Sequence, residues 1–155
     1  MGVLKTQGTS LFMVTGATTS AEVGNITSFN PPSPTADEIE ITNLASAAKE
    51  FVQGLIDYGE GSFEINFDAT STAHKGLLTT LQAGTSGEWL IGLSDGTTAA
   101  PTVTASAFGA LPSTRSWIKF TAFIKSLPMQ GGTNDVVKAT LTVRNSGQPT
   151  YSWKT

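Results

Sequence analysis

The 155-residue sequence predicts an all-β fold with one α-helix. Apolar and polar residues alternate over several short stretches, which is the period expected of half-buried strands. One segment, at about 71–83, instead combines helical spacing with a cap signal at each end. The expected architecture is a two-sheet β-sandwich or barrel of about eight strands, formed by a single domain over residues 1–155, with a long protruding arm at about 43–60.

Four strands are expected in the first half of the chain. The stretch 10–15 is a short apolar run, and 22–29 is followed by three prolines, which cannot donate to a β-ladder. The stretches 37–42 (DEIEIT) and 62–68 (SFEINFD) both alternate with a period of two. The alternation assigns Ile39, Ile41, Phe63, Ile65 and Phe67 to inward faces and Glu38, Glu40, Glu64 and Asn66 to outward faces.

The longest strands are expected near the C-terminus. After a strand at 89–93, residues 117–127 and 136–145 read as two long strands joined by the glycine-containing loop 128–134. Together they predict a long hairpin. The threonine- and alanine-rich patch 97–106 is expected to be an exposed strand or loop.

The predicted helix begins at Thr70 or Ser71, either of which can cap it, and ends at Gly84. The only histidine, His74, falls on this helix. Because a catalytic base needs a positioned partner, His74 is interpreted as a surface residue of the helix.

Residues 44–57 (LASAAKEFVQGLID) are ambiguous. Their apolar residues recur at helical spacing, which favours an amphipathic helix. Gly54 and the flanking strands also permit an extended arm with a helical turn. In both cases the apolar side chains need a partner, either in this domain or in a neighbouring subunit.

Composition limits the class of protein. The chain has no cysteine, so disulfides and thiolate zinc sites are excluded. Only 14% of the residues are charged, and a surface with few charges favours association. The N-terminal stretch has no apolar run of signal-peptide length and nothing approaches a membrane span, so we expect a protein that is made and folded in a host cytoplasm, without a membrane partner.

The charges are unevenly distributed along the chain. Between residues 37 and 68 there are eight acids and one base, whereas between 115 and 154 there are six bases and one acid. This division predicts either ion pairing between strands of one sheet or complementarity between copies of the chain.

No set of residues predicts catalysis, so we expect no enzyme, no cofactor and no metal site. The sequence has a single histidine and lacks calcium-loop and nucleotide-loop motifs. Glu38, Glu40 and Glu64 would be the material for a glycosidase-type carboxylate pair, but neighbouring carboxylates are common on solvated strands. Basic residues in 117–127 fall on the face opposite Phe120, and the net charge is −3, which disfavours tight DNA binding.

The order of several motifs resembles the major tail tube proteins of long-tailed (siphovirus-type) bacteriophages, the family of the phage lambda tube subunit. The similar stretches follow one another along nearly the whole chain, although each is weakly specific alone. They are GTSLFMV at 8–14, VGNITSF at 23–29, DEIEITN at 37–43, AAKEFVQGLIDYGE at 47–60, FEINF at 63–67 and ATLTVRNSG at 139–147.

The resemblance implies a structural protein of the virion tail that self-assembles into hexameric rings, in which each subunit gives four strands to one inner barrel. The rings would stack around a ruler (tape-measure) protein into a hollow tube that conducts viral DNA, with tail terminator and tail-tip proteins as further partners. The C-terminal immunoglobulin-like domain that many relatives carry is not expected here. The arm would contact an adjacent ring through Leu44, Phe51, Val52, Leu55, Ile56 and Tyr58.

An acidic lumen would keep duplex DNA away from the wall at close approach. We hypothesise that Glu38, Glu40 and Glu64, on the outward faces of strands taken to be adjacent, line this lumen. The alternative is that they are solvated residues of the outer surface.

Two other interpretations remain open. A ring protein of a bacterial secretion or contractile injection system would share the fold. A carbohydrate-binding β-sandwich would require a signal peptide and an exposed aromatic platform, and neither is evident in the sequence.

Overall fold

The computed structural model describes residues 2–155, and it confirms a mostly β fold with a single helix. The strands are β1 Ser10–Val14, β2 Ser20–Val23, β3 Ile26–Asn30, β4 Thr35–Glu40, β5 Phe51–Asp57, β6 Glu60–Asn66, β7 Ser86–Gly92, β8 Val103–Thr104, β9 Ala107–Phe108, β10 Trp117–Ser126, β11 Met129–Gln130, β12 Lys138–Asn145 and β13 Thr150–Ser152, and the helix is α1 Thr72–Ala83.

Nine strands form one main sheet in the order β2-β1-β7-β10-β12-β6-β3, with β11 beside β12 and β13 beside β10. All pairings are antiparallel. The first and last strands of this order, β2 and β3, are joined only by Gly24 and Asn25. The chain therefore passes directly from one end of the sheet to the other, and the sheet must curl back on itself at this corner. Asn25 has a φ of 59°, a left-handed conformation that asparagine tolerates.

The curled sheet encloses one hydrophobic core because its strands alternate as the sequence predicts. In β12, Ala139, Leu141 and Val143 are buried, while the residues between them face outwards. The long hairpin is confirmed, with Phe123 of β10 opposite Arg144 of β12. Phe120 is in the core and Lys119 and Lys125 are not, as the alternation requires.

A second, smaller cluster lies on the outer side of β1, β7 and β10. It is covered by the short β8–β9 ribbon, which contributes Val103 and Phe108. The expectation that 97–106 is exposed is therefore wrong at Val103, which is buried against Phe12, Leu90 and Trp117.

The helix α1 begins after Ser71, whose hydroxyl accepts from the His74 amide, and ends at Gly84 with a φ of 66°. Both caps were expected, but His74 is not a surface residue, since only 1% of it is exposed. Its Nδ1 accepts from the Asp68 amide at 2.9 Å, and its Nε2 lies 3.0 Å from the Gly24 carbonyl oxygen. A neutral ring with its proton on Nε2 satisfies both contacts. His74 thus ties the helix to the β2–β3 corner.

Arg115 is buried as well, with 3% of its surface exposed. Its guanidinium donates to the carbonyl oxygens of four residues and lies 5.2 Å from the ring centre of Trp117. The four acceptors are Gly8, Gly92, Leu93 and Thr98, at 2.6–3.0 Å. One side chain therefore holds together the segment before β1, the end of β7 and the loop that follows it.

Arg115→Lys should lower the free energy of unfolding by about 3 kcal/mol, because an ammonium cannot reach carbonyls on several sides and leaves buried acceptors unpaired. Urea unfolding of the unassembled protein measures the change. The matched control, Arg144→Lys, alters a half-exposed ion pair and should cost about 1 kcal/mol or less. Equal effects of the two substitutions would contradict the role given to Arg115.

Candidate functional site

The most unusual feature of the surface is a β-hairpin formed by β4 and β5, which we call the arm hairpin (residues 35–57). Among residues 2–155, β4 and β5 pair only with each other. All six residues of β4 are exposed. Residues 44–57, which the sequence left ambiguous, therefore form a loop and the extended strand β5, and not a helix. Cross-strand pairing of β-branched residues, such as Ile39 opposite Val52, favours strands over the helix that the local spacing indicated.

The arm hairpin prolongs the β3–β6 ribbon beyond the core. Pairing of β3 with β6 ends at Asn30 and Ser62, and pairing of β4 with β5 begins at Thr35 and Asp57. Between these two points the chain contains Pro31, Pro32 and Pro34 on one side and Gly59, with a φ of 66°, on the other. Proline has no N–H for a ladder, so regular pairing is interrupted here.

Two boundaries differ from the sequence prediction. The arm was expected at about 43–60 but already begins at Thr35. The stretch 37–42 was expected to be half-buried. It instead lies in β4 and the start of the loop between β4 and β5, outside the core. Alternation alone shows that a strand has two different faces, and it does not show that one of them is covered.

The arm hairpin exposes a large amount of apolar surface. Leu55 is 88% exposed and Leu44, in the loop at the tip, is completely exposed. Of the other predicted arm residues, Phe51, Val52 and Ile56 are about half exposed, and Tyr58 is partly buried. Ile39 and Ile41, which the sequence assigned to a covered face, add to this surface.

The two faces of the arm hairpin differ in chemistry. Ile39 lies opposite Val52 on one face, which is aliphatic there. Glu38 lies opposite Gln53, and Glu40 lies opposite Phe51, on the other. One face is therefore aliphatic at this point, whereas the other combines carboxylate and amide groups with Phe51.

The three acids predicted to line a lumen are not brought together. Glu38 and Glu40 are in the arm hairpin, whereas Glu64 is in β6 of the main sheet, where it accepts from the Ser28 hydroxyl at 3.3 Å. The strands β4 and β6 are not neighbours, so the assumption that the acidic strands are adjacent is wrong. The assumption failed because the acidic segment that contains Glu38 and Glu40 leaves the main sheet before Thr35 and forms the arm hairpin.

A second extended surface is the outer side of β10, β12, β6 and β3, which we call the polar face. Its side chains are mostly hydroxyl, amide or charged, and Phe123 is the exposed aromatic among them. The cross-strand partners are Thr140 with Glu64, Thr142 with Ser62, Lys138 with Asn66 and Arg144 with Glu60.

Ion pairs join the cations of the polar face to acids at its margins. Arg144 donates to Asp57 at 2.7 Å, Lys125 donates to Glu60 at 2.5 Å, and Lys138 lies 3.4 Å from Asp135. The Gly59 amide, together with Arg144, holds the pKa of Asp57 below its usual range. The Val136 amide, and then Lys138, do the same for the pKa of Asp135. Both acids are consequently ionised at neutral pH.

These pairs also account for part of the charge division in the sequence. Glu60 and Asp57 come from the acidic stretch, and Lys125 and Arg144 come from the basic one. Two of the eight acids of the acidic stretch, Asp57 and Glu60, are therefore paired with bases of the basic stretch in the same chain. Arg115, counted among the bases, is buried and contributes no surface charge.

An exposed aromatic pair near the C-terminus was not foreseen. The rings of Tyr151 and Trp153 stack at 5.9 Å with an interplanar angle of 16°, and Trp153 is 62% exposed. The signal was their spacing of two residues, which places them on the same side of a strand.

No metal centre is formed in the part of the chain that the structure describes, since no three His, Cys, Asp or Glu side chains cluster there. Within the same residues, none of the helices has the length and apolar character needed to cross a membrane.

Comparisons with known proteins agree with this geometry. A family model described as "Phage tail tube, TTP, lambda-like" matches residues 2–155. The chain is 34% identical over 152 residues to "Structural protein 3" of Pseudomonas phage PAJU2, and the match covers 95% of this chain and 92% of the relative.

Two solved structures share the fold. The tail of an empty gene transfer agent particle, refined with C6 symmetry, has a TM-score of 0.70 at 12% identity and covers 97% of this chain and 99% of its own. The SPP1 tail tube has a TM-score of 0.70 at 9% identity, with 97% of this chain and 80% of that chain covered. The match of the family model and the identity to a phage structural protein show that this chain belongs to the lambda-like family of phage tail tube proteins, which are structural proteins of the virion tail.

Proposed function

We propose that this protein assembles into hexameric rings that stack into the hollow tube of a phage tail, through which viral DNA passes to the host. The observation that carries the proposal is the arm hairpin, an apolar element with no cover in its own chain. The sixfold symmetry named for the gene transfer agent tail supports a ring of six. The protein acts by assembly, and we propose no catalytic activity and no cofactor.

The physical reason for assembly is the exposed apolar area. Large contiguous apolar patches are rare on monomeric proteins and mark interaction sites. Burying such area against another copy is favourable by about 25 cal/mol per Å². The contact residues are the arm set predicted from the sequence, Leu44, Phe51, Val52, Leu55, Ile56 and Tyr58, together with Ile39 and Ile41.

A repeating contact between copies requires that each copy carry both halves of it. A protruding arm on one side and its docking surface on another form a head-to-tail contact, which propagates into rings and stacks. A tape-measure protein inside the tube, a terminator at one end and tip proteins at the other are the further partners that we propose for this assembly.

The lumen hypothesis now separates into two parts. Glu64 lies on the polar face of the main sheet, and Glu38 and Glu40 lie on the arm hairpin. We propose that Glu64 faces the lumen, where its charge repels phosphate. Glu38 and Glu40 remain predicted lumen residues only if the arm hairpin also reaches the channel.

Neither alternative interpretation has comparable support. The match over the whole chain to a phage family favours a phage tail over a bacterial injection system. The stacked pair Tyr151 and Trp153 is a surface that sugar binding could use, but neither the family model nor the phage relative supports that interpretation.

Ile39→Ser with Val52→Ser should abolish tube formation, because it removes a cross-strand aliphatic pair from the proposed contact. Negative-stain microscopy of concentrated protein would show rings and hollow tubes for the parent chain and none for this variant. Its free energy of unfolding should stay within about 1 kcal/mol of the parent, since both side chains are half-exposed.

The matched control is Glu38→Ser with Gln53→Ser, a cross-strand pair on the opposite face of the same arm hairpin. This control should still form tubes. Tubes of normal yield from the Ile39/Val52 variant, or a parent protein that stays monomeric at millimolar concentration, would refute the proposal.

Charge reversal tests the lumen. Glu64→Lys should leave tubes intact but slow DNA ejection from phage particles, because each ring gains six phosphate-binding cations. Glu38→Lys with Glu40→Lys should do the same only if the arm hairpin also lines the channel. Unchanged ejection with Glu64→Lys would remove Glu64 from the lumen.

A further inference from the structure

We propose that the ion pairs of the polar face keep its own cations from holding the DNA that passes along it. This inference rests on the proposed function, and it assigns the wall of the channel to the outer side of β10, β12, β6 and β3. The partner is duplex DNA, recognised only by its phosphate charge and let through because Lys125, Lys138 and Arg144 are already paired with acids.

The polar face suits the wall of a channel for two reasons. It consists of four neighbouring antiparallel strands that turn one side away from the core. Its uncharged side chains include hydroxyl and amide groups, such as Ser62, Thr140 and Asn66, which offer DNA no charge to bind. The outer side of β1 and β7, in contrast, is covered by the β8–β9 ribbon.

The polar face also carries four cations, and free cations would bind the phosphates of passing DNA. Lys138 and Arg144 stand near the two ends of β12, about 20 Å apart at the usual rise per residue. Lys125 lies on β10 beside them, and Lys119, also on β10, is half-buried next to β13. A wall of six copies with these charges unpaired would bind phosphates along its whole length, and each contact would add salt-dependent affinity.

Each of the three exposed cations has an acid of its own. Asp57, at the base of the arm hairpin, holds Arg144, while Glu60 at the start of β6 holds Lys125 and Asp135 before β12 holds Lys138. Glu64 is the fourth acid on this face. Four acids therefore balance four cations, and the face is neutral over its length.

These pairs contribute little to folding, which makes them suitable for a test. Partly exposed ion pairs stabilise a protein by about 0–1 kcal/mol each. Amide substitutions also preserve the side-chain oxygens of residues 57 and 135 that accept from the Gly59 and Val136 amides. Removing the acids therefore frees the cations without removing the local turns.

The test variant is Asp57→Asn with Glu60→Gln and Asp135→Asn. Assembled tubes are incubated with a short fluorescent linear duplex, which can enter a channel, or with closed circular DNA, which cannot. After sedimentation at several salt concentrations, the variant should bind the linear duplex at least tenfold more tightly than the parent at low salt. The gain should decline steeply with salt and be absent for circular DNA.

The matched control is Glu22→Gln, which removes an exposed carboxylate from β2, a strand outside the polar face. It should not increase binding of the linear duplex. An equal gain in this control, an equal gain for circular DNA, or no gain in the variant would each overturn the inference. In all three cases tubes still form, so the proposed function would stand.

Failure of the parent chain to form tubes would instead refute the proposed function. If the triple variant does not assemble, Glu60→Gln alone frees Lys125 and is measured in the same way. A gain confined to the linear duplex would then support the inference, and its absence would overturn it.

Discussion

The structure depends on a β-ribbon, β3 with β6, that continues beyond the core as the arm hairpin and exposes apolar side chains there. Between Ile26 and Asn30, and between Glu60 and Asn66, the ribbon lies on the main sheet and its apolar residues are buried. Beyond the prolines at 31, 32 and 34, the chain pairs again as β4 and β5, and no other strand within residues 2–155 pairs with these two. The hydrophobic effect that closes the core therefore leaves the arm hairpin exposed in the single chain, and in the proposed assembly it would act there between molecules.

The sequence predicted those parts of the fold whose signals are local. Period-two alternation identified β6, β10 and β12, and Ser71 and Gly84 marked the ends of the helix, because strand faces and helix caps depend on near neighbours. The arm was also predicted, but its start and its form were not. Its spacing fits a helix as well as it fits a hairpin, and only pairing with β4 decides between them.

Long-range burial is what the sequence could not supply. His74 was interpreted as a surface residue and Arg115 was only counted among the bases, yet both are buried and bonded to backbone groups far away in sequence. Polar side chains are buried when the fold presents the right partners, and those partners belong to other elements. For the same reason Glu64 was grouped with Glu38 and Glu40, although the chain separates them in space.

The proline-rich joint between the main sheet and the arm hairpin has a mechanical consequence. Among residues 2–155, no ladder pairing links 31–34 to 58–61, yet the base of the hairpin is held against β12. Arg144 donates to Asp57, and the Gly59 carbonyl oxygen accepts from the Asn145 amide. The direction in which the hairpin leaves the core is therefore fixed within one chain, before any second molecule is present.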